Sequence, residues 1–381
     1  MIYLDHNATT PVEPEVLEAM LPWFTERFGN AGSAHGAGHL AEAAVARARA
    51  QVAALLNASA AEVIFTGGAT EALNHALRGV WEAFPARRHL VLTAVEHPAL
   101  QALADWWAAQ GGAVSKLPVD AEGQLDPAVL EAALRPDTAL VAVMAANNES
   151  GVILPVAEAG RLARAAGALF LVDATQAVGK LPVDVKAWGA DLAVLSAHKF
   201  HGPKGVGALY LRRGLRLKPL LLGGGQERGR RGGTENVPGI VGLGAAAQLA
   251  QERLGYLGCV EELRDHLERV LQAAIPGMRV IGGGAARLPN TSLLAFEGVE
   301  GEALLLKLDQ AGICVSTGSA CSTGHKEPSH VLRAMGVPPA FAKGTLRISL
   351  GRHSTAADIA AVEDRLPGLV AELRGSGAFS R

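Results

Sequence analysis

Residues 195–205, LSAHKFHGPKG, place a lysine between an apolar run and a glycine-rich turn. The residues just before, 191–195 (DLAVL), form a short apolar run, which predicts a buried strand ending at a ligand-binding edge of an α/β sheet. A lysine is rarely buried without a partner or a covalent role, and burial lowers the pKa of its amine toward the nucleophilic neutral form. Lys199 is therefore the first candidate catalytic residue. On this stretch alone, a solvated loop lysine is the alternative.

The composition limits the class of protein. A chain of 381 residues is longer than one typical domain, so we expect two lobes that pack as one unit. Hydrophobic residues make up 49% and charged residues 19%, and the formal net charge of -2 gives no bias toward nucleic acid or an anionic membrane. No apolar segment reaches about 18 residues, and Met1–Asp5 lacks the features of a signal peptide. We therefore expect a cytoplasmic protein without membrane or nucleic-acid partners.

The three cysteines, Cys259, Cys314 and Cys321, cannot all pair within one chain, and none belongs to a CxxC motif. This spacing argues against a disulfide framework or a zinc site, so no metal is expected. Cys321 lies in 316–328, STGSACSTGHKEP, whose small and polar residues predict a mobile, exposed loop. Neighbouring cations or backbone N–H groups there could lower the pKa of its thiol. Cys314 and Cys259 are interpreted as small, buried structural residues.

Strands and helices alternate along the first two thirds of the chain. After an Ala/Arg-rich helix at about 37–56, apolar and β-branched runs predict a mostly parallel sheet covered by helices, the α/β class. The predicted strands are 62–66, 89–93, 113–117, 139–144, 168–172, 191–195 and 206–211.

The last third of the chain has a different order of predicted helices and strands. A long helical stretch at 237–273 leads to a smaller α+β lobe, in which further short strands are expected. We divide the chain into a large domain, 15–255, and a small domain formed by 1–14 and 256–381. The strands predicted in the small domain are 278–281, 291–296, 313–316 and 345–350.

Polar residues follow several of the predicted strands. Residues 66–71, TGGATE, lie between a strand and an amphipathic helix whose first N–H groups can bind an anion. The alternative is an ordinary turn with Thr70 as the N-cap. Because the carboxyl ends of parallel strands meet at one edge, we expect such residues to surround one ligand. The other candidates, each at or after a strand end, are His97, Asn148, Asp173, Gln176, Ser196 and His198.

These residues together indicate a cofactor. A lysine able to form a Schiff base, a carboxylate able to pair with a pyridinium nitrogen, and a phosphate seat at a helix N-terminus describe a pyridoxal phosphate pocket. The three parts are Lys199, Asp173 and the 66–71 turn. A metal site at His198 and His201 is the alternative, although no third ligand is evident.

Arg347 is the remaining candidate for substrate binding. It lies in the predicted strand 345–350, between apolar Leu346 and Ile348 on the opposite face. Its forked guanidinium suits a carboxylate. A structural salt bridge is the alternative for this arginine.

Taken in order, the motifs resemble the cysteine desulfurases, the class V aminotransferase-like branch of the fold-type I pyridoxal phosphate enzymes. The resemblance covers the whole chain, and SAHKFHGPKG together with SACS is its most specific part. The segment at about 316–332 resembles the long mobile loop of the housekeeping and nitrogen-fixation group. The motifs are YLDHNATTP (3–11), GNAGSAH (29–35), TGGATEALN (66–74), VEHPA (95–99), NNESG (147–151), VDATQAVGK (172–180), SAHKFHGPKGVGALY (196–210), RGGTENVPGIVG (231–242), STGSACS (316–322) and RISLGR (347–352).

The resemblance implies roles for the cofactor-binding residues. Lys199 is expected to carry pyridoxal 5'-phosphate on its amine, Asp173 to pair with the pyridinium nitrogen, and His97 to stack on the ring and act as an acid or base. Gln176 is expected to bond the phenolic oxygen. The implied phosphate ligands are Ala69, Thr70, Ser196 and His198, with Thr234 donated by the neighbouring subunit of a homodimer.

The resemblance also implies an activity. A cysteine desulfurase converts L-cysteine to L-alanine, and Asn148 with Arg347 resembles its substrate carboxylate clamp. Cys321 resembles its nucleophile, which holds the sulfur as a persulfide for an acceptor protein. That acceptor is an iron–sulfur scaffold or a sulfur relay protein, serving iron–sulfur cluster assembly or thiolation of tRNA or cofactors. The rivals are a selenocysteine lyase or class V aminotransferase, a catalytically silent scaffold, and a Rossmann dehydrogenase, which the absent GxGxxG weakens.

Overall fold

The computed structural model describes residues 1–318 and 328–377, so the segment containing Cys321 lies outside the described residues. The strands are β1 (Ile2–Tyr3), β2 (Val63–Thr66), β3 (His89–Thr93), β4 (Ala113–Leu117), β5 (Thr138–Met144), β6 (Leu169–Asp173), β7 (Leu192–Ser196), β8 (Gly207–Leu211), β9 (Arg279–Val280), β10 (Thr291–Ala295), β11 (Ile313–Cys314) and β12 (Thr345–Ser349). The helices are α1 (Pro14–Met20), α2 (Pro22–Thr25), α3 (Gly36–Leu55), α4 (Ala69–Ala83), α5 (Pro98–Ala109), α6 (Pro127–Ala133), α7 (Val156–Ala165), α8 (Gln226–Gly229), α9 (Val237–Glu252), α10 (Leu257–Ala274), α11 (Gly301–Gln310), α12 (His330–Ala334), α13 (Pro339–Ala342) and α14 (Ala356–Gly377).

The large sheet has the strand order β2-β8-β7-β6-β5-β3-β4. β8 is antiparallel to both of its neighbours, and the other adjacent strands are parallel. The prediction of an α/β fold with a mostly parallel sheet is therefore confirmed. The antiparallel direction of β8 follows from its short connection to β7, because a parallel pair would need a long crossover.

The two faces of the large sheet pack against different hydrophobic clusters. In β5, Val141 and Val143 contribute to one cluster, whereas Leu140 and Ala142 contribute to the other. Alternate residues of a strand point to opposite faces, so a strand buried on both sides is apolar throughout. This explains why continuous apolar runs identified these strands to within two residues at either end.

A second, smaller group of strands lies after α10. β10 pairs with β9 and β12 in antiparallel order, and β1 pairs with β11. A separate hydrophobic cluster joins these strands to α10, α11 and α14, and the N-terminal Leu4 belongs to it. The helical stretch predicted at 237–273 is interrupted, because α9 ends at Glu252 and a short turn at Leu254–Tyr256 precedes α10. Among the described residues, no helix is both long and apolar enough to span a bilayer.

The N-terminal segment connects the two groups of strands. Asp5 bridges to Ser349 at the end of β12, and the backbone N–H of Thr10 donates to the carbonyl of His198, 2.9 Å away. The residues between them therefore cross directly over the end of β7. This crossing brings residues 7 and 8 next to Lys199.

Candidate active site

A cavity of about 1060 Å³ opens where the parallel strands of the large sheet end. Its walls include Lys199, Asp173, His97 and Arg347, together with the first residues of α4. The structure thus brings together side chains that the sequence analysis placed after separate strands. Also on the cavity wall are Asn148, Gln176, Ser196 and His198.

The start of α4 forms one end of this cavity. Gly68 caps the helix with φ +150°, a conformation that favours glycine, so Thr70 is in the first turn and is not the N-cap. β8 approaches closely, since a Cβ on Gly207 would lie 2.8 Å from Gly68 Cα. A Cβ on Gly68 would lie 3.6 Å from Ser196 Oγ. The free N–H groups of the first turn of α4 therefore lie beside a hydroxyl, as an anion site requires.

His198 lies next to this helix start. Its Nδ1 is 3.2 Å from the hydroxyl of Thr9. Burial, followed by the positive charges of Lys199 and Lys204, lowers the pKa of His198 to about 4. The ring is therefore neutral near pH 7, and it serves as a hydrogen-bonding group.

Lys199 ends the short turn Ala197–Lys199 that follows β7. Its Nζ donates to the backbone carbonyls of Asn7 and Ala8, at 2.6 and 2.8 Å. The N-terminal segment thus holds the amine at the cavity.

Asp173 is the last residue of β6 and is buried. One carboxylate oxygen accepts the N–H of Thr175 at 2.9 Å. Asp173 also raises the pKa of His97, which shows that the two side chains are close. Burial outweighs this effect and lowers the pKa of His97 overall, with Lys199 and His330 acting in the same direction.

His97 caps α5 through its ring. The backbone N–H of Ala99 donates to His97 Nδ1 at 3.1 Å. His97 therefore both caps α5 and lies on the cavity wall.

Arg347 is 2% exposed and extends from β12 to the cavity. One terminal nitrogen donates to Asp5 at 2.7 Å, and the other to the backbone carbonyl of Asn148 at 2.9 Å. Arg347 Nε is buried and has no hydrogen-bond partner among the described residues. Arg347 therefore forms a salt bridge with Asp5 and also lines the cavity.

Asn7 connects these groups and was not identified from the sequence. Its carbonyl accepts Gln176 Nε2 at 3.0 Å in addition to Lys199. Its side-chain oxygen accepts Lys180 Nζ at 3.0 Å and Asn290 Nδ2 at 3.1 Å. Its side-chain amide donates to Thr291 at 2.8 Å. One residue of the YLDHNATTP motif therefore bonds both to residues that follow β6 and to residues at the start of β10.

Lys180 was also missed as a site residue. It is buried, and its Nζ donates to Gln176 Oε1 at 2.5 Å as well as to Asn7. Burial, and then the charges of Lys199 and Arg347, hold its pKa well below the usual range. Its position four residues after Gln176, next to apolar Leu181, is the signal that sequence reasoning could have used.

A buried carboxyl, Glu149, lies on the same cavity wall. It is hydrogen bonded to the side chain of Ser329, and burial raises its pKa to about 7. A Cβ on Gly318 would lie 3.0 Å from Glu149 Oε2. Glu149 therefore contacts both described ends of the segment that contains Cys321.

Other predicted residues lie elsewhere. Thr234 is exposed and does not line the cavity of its own chain. Cys314 is partly buried in β11, but Cys259 is exposed on α10, so the prediction that Cys259 is buried was wrong. Cys259 lies on the exposed face of α10, and the type of a single residue does not show which face of an amphipathic helix it occupies. Within residues 1–318 and 328–377, no group of three or more His, Cys, Asp or Glu side chains is arranged to hold a metal.

Comparison with known proteins gives concordant matches over the whole chain. A family model described as "Aminotransferase class-V" matches residues 2–362. "Cysteine desulfurase 2" of Trichormus variabilis is 51% identical over 380 residues, covering 100% of this chain and 96% of that protein. "Cysteine desulfurase NifS" of Azotobacter vinelandii is 48% identical, covering 99% and 94%.

Solved structures agree. A structure titled "NIFS-LIKE PROTEIN" superposes with a TM-score of 0.90 at 39% identity and covers 99% of each chain. "SspA in complex with cysteine" has a TM-score of 0.83 at 34% identity, covering 93% of this chain and 100% of its own.

The bonds of Asn7 give a stability prediction. Asn7→Ala removes one buried hydrogen bond from each of Lys180, Asn290 and Thr291, which keep their other partners, and each lost bond costs about 0.5–1.5 kcal/mol. We expect thermal unfolding, followed by circular dichroism, to occur several degrees lower than in the wild type. The matched control is Asn74→Ala, whose amide donates to a carbonyl of its own helix and whose loss should change little. Equal melting temperatures for the two variants would contradict this account of Asn7.

Proposed function

Because the chain belongs to the class-V aminotransferase family and is a pyridoxal-phosphate-dependent cysteine desulfurase, we propose that it removes sulfur from L-cysteine with Lys199 and Cys321 as its catalytic residues. The observation that supports these roles best is the placement of the Lys199 amine in a cavity that also contains Asp173 and the start of α4. The alternatives of a silent scaffold and a dehydrogenase lose their support at 51% identity over the full chain.

The cavity residues fit the cofactor. The first turn of α4 supplies N–H donors for a phosphate, with Ala69, Thr70, Ser196 and His198 as its ligands. Asp173 supplies a buried carboxylate for the ring nitrogen, His97 a flat ring to stack on it, and Gln176 an amide for its phenolic oxygen. When bound, the cofactor supplies an electron sink for charge that develops at the substrate Cα.

The protein's own residues position the substrate and move its protons. Arg347, held by Asp5 and by the carbonyl of Asn148, offers a fixed guanidinium to the substrate carboxylate, and the Asn148 side chain completes the clamp. The Lys199 amine, within reach of the cavity, takes the Cα proton and returns it as L-alanine forms.

Cys321 is the proposed sulfur acceptor. Its thiolate attacks the substrate sulfur, an S–S bond forms as the C–S bond breaks, and the electron pair stays with the substrate carbon. Cys321 itself lies outside the described residues, but Pro328 and Ser329, which follow its segment, line the cavity. The persulfide then passes to an acceptor protein, an iron–sulfur scaffold or a sulfur relay protein, in the reducing environment of the cytoplasm.

We also propose a homodimer in which Thr234 completes the phosphate site of the partner subunit. The segment that leads to Thr234 is held from within its own chain, because Gly232 N–H donates to Leu221 O at 2.9 Å. Glu227, in the same segment, forms a buried two-point ion pair with Arg49 at 2.6 and 2.8 Å. The neighbouring Leu222 is 85% exposed, as expected of a residue that a second copy covers.

Lys199→Ala tests the catalytic lysine. We expect alanine formation to fall at least about a thousandfold, because the proton-transfer group is lost, while the protein still folds and binds the cofactor non-covalently. Alanine is measured by chromatography, and bound cofactor by its release when the desalted protein is denatured. The wild type should absorb at ~400 nm, the region of the lysine-bound form, and the variant should lack this band. Lys186→Ala, an exposed lysine, is the matched control. Retained alanine production by Lys199→Ala would refute this role.

Cys321→Ala tests the sulfur acceptor. The variant should bind cysteine and cofactor as the wild type does, since Lys199, Asp173 and Arg347 are intact, yet release little sulfide. After incubation with cysteine carrying radioactive sulfur and digestion without reductant, the wild-type label should lie on the peptide that contains Cys321. Cys259→Ser and Cys314→Ser serve as controls and should keep near-normal turnover. Label on Cys259 or Cys314, or normal sulfide release by Cys321→Ala, would contradict the mechanism.

A further inference from the structure

Two imidazoles lie on the wall of the same cavity. His97 caps α5, and His330 is the first residue of α12, immediately after the segment that contains Cys321. The two rings are close enough that His330 lowers the pKa of His97. Each ring is hydrogen bonded to the backbone, but one ring accepts the hydrogen bond and the other donates it.

In His97 the ring nitrogen accepts. Ala99 N–H donates to Nδ1 at 3.1 Å, so Nδ1 carries no proton, and the neutral ring has its proton on Nε2. In that tautomer the lone pair of Nδ1 is occupied by the Ala99 N–H, and Nε2 already carries a proton. Protonation of Nδ1 would place two N–H groups against each other. While the cap is formed, His97 therefore acts as a hydrogen-bond donor and cannot take up a proton.

In His330 the ring nitrogen donates. Nε2 lies 2.8 Å from the backbone carbonyl of Glu96, which has no proton to give, so Nε2 carries one. The neutral ring then has its lone pair on Nδ1. If Nδ1 gains a proton, the bond from Nε2 to the carbonyl becomes charge-assisted and stronger. The same contact that fixes the tautomer therefore stabilises the protonated ring.

The surroundings of His330 lower its pKa, which favours the neutral ring with a nitrogen able to accept a proton. Burial lowers its pKa most, Arg333 of the same helix and Lys116 of β4 lower it further, and the bond to Glu96 O raises it. The Glu96 carboxyl is directed elsewhere, since it accepts the hydroxyl of Thr93 and the N–H of Met144. No carboxylate among the described residues forms an ion pair with His330, so its ring is not fixed in the charged form.

We propose that His330 Nδ1 accepts the proton of a thiol in the cavity during sulfur transfer. The S–H bond breaks, its electron pair stays on sulfur as a thiolate, and an N–H bond forms at Nδ1. The imidazolium that results donates from Nε2 to Glu96 O and then gives the proton to the substrate carbon, which keeps the electron pair of the broken C–S bond. This inference rests on the cysteine desulfurase function proposed above. It assigns a base for the thiol proton, which the reaction needs because Lys199 takes the Cα proton.

His330→Gln is the informative variant. A glutamine amide can still donate to Glu96 O, but it has no nitrogen that accepts a proton at neutral pH. With the cofactor-loaded enzyme we expect kcat/KM for alanine formation to fall about a hundredfold at pH 7. The defect should shrink to a few-fold near pH 9, because a thiol with a pKa of about 8.5 ionises without a base.

A purely structural role gives a different pattern. If the bond from His330 to Glu96 O only holds the chain in place, its loss would lower activity to the same degree at every pH. The glutamine variant, which can keep that bond, would then have nearly normal activity. His266→Gln, an exposed histidine of α10, is the matched control and should leave the pH profile unchanged. The thermal midpoint verifies folding, and His330→Asn repeats the test if the glutamine variant is unstable. A His330→Gln profile within twofold of wild type, or a defect independent of pH, would overturn the proposal.

A second measurement identifies which thiol loses the proton. Alkylation of Cys321 by iodoacetamide, followed by peptide mass spectrometry without substrate, reports the ionisation of the enzyme thiol. A shift of this reaction to higher pH in His330→Gln assigns the proton to Cys321. An unchanged alkylation profile with the turnover defect retained assigns it to the substrate cysteine. A wild-type enzyme that makes no alanine from cysteine would overturn the proposed function itself, and this inference with it.

Discussion

The backbone carbonyl of Asn7 accepts hydrogen bonds from Lys199 and from Gln176, and the geometry of the site depends on it. This carbonyl is fixed because the Asn7 side chain is bonded to Lys180, which follows β6, and to Asn290 and Thr291 at the start of β10. A buried polar network of this kind stabilises one arrangement only when all its members are paired. The short N-terminal segment therefore sets the relative position of Lys199 and Arg347.

The charge of the cavity follows from the same packing. Three basic groups, Lys180, Lys199 and Arg347, lie close together, and the last two lower the pKa of the first after burial has done so. The cavity wall carries four basic side chains, Lys199, Lys204, Arg333 and Arg347, against three carboxyls, Glu71, Asp173 and Glu149, and burial raises the pKa of Glu149 to about 7. A low-dielectric cavity with this balance attracts anions. That is the electrostatic requirement for a phosphate-bearing cofactor and a substrate carboxylate.

Much of this could be predicted from the sequence, and the reason is physical. Strands buried on both faces are apolar throughout, so 138–144 and 192–196 were recognisable, and the polar residues after them had to meet at one edge. The confirmed family resemblance then supplied roles for residues such as Asp173. Asn7 was not predicted, because its bonds join positions far apart in the chain. Lys180 is only four residues from Gln176, but its bond to Asn7 also spans most of the first half of the chain. The tautomers of His97 and His330 were equally inaccessible, since each depends on which backbone group lies beside the ring.

The central claim is that Lys199, and not its buried neighbour Lys180, bears the cofactor. Borohydride reduction of the cofactor-loaded enzyme makes a cofactor–lysine bond permanent, and digestion with mass spectrometry locates it. The position of the Lys199 amine in the cavity, and the engagement of Lys180 with Asn7 and Gln176, predict a single modified peptide that contains Lys199. Modification of Lys180, or of any other lysine in place of Lys199, would contradict the account.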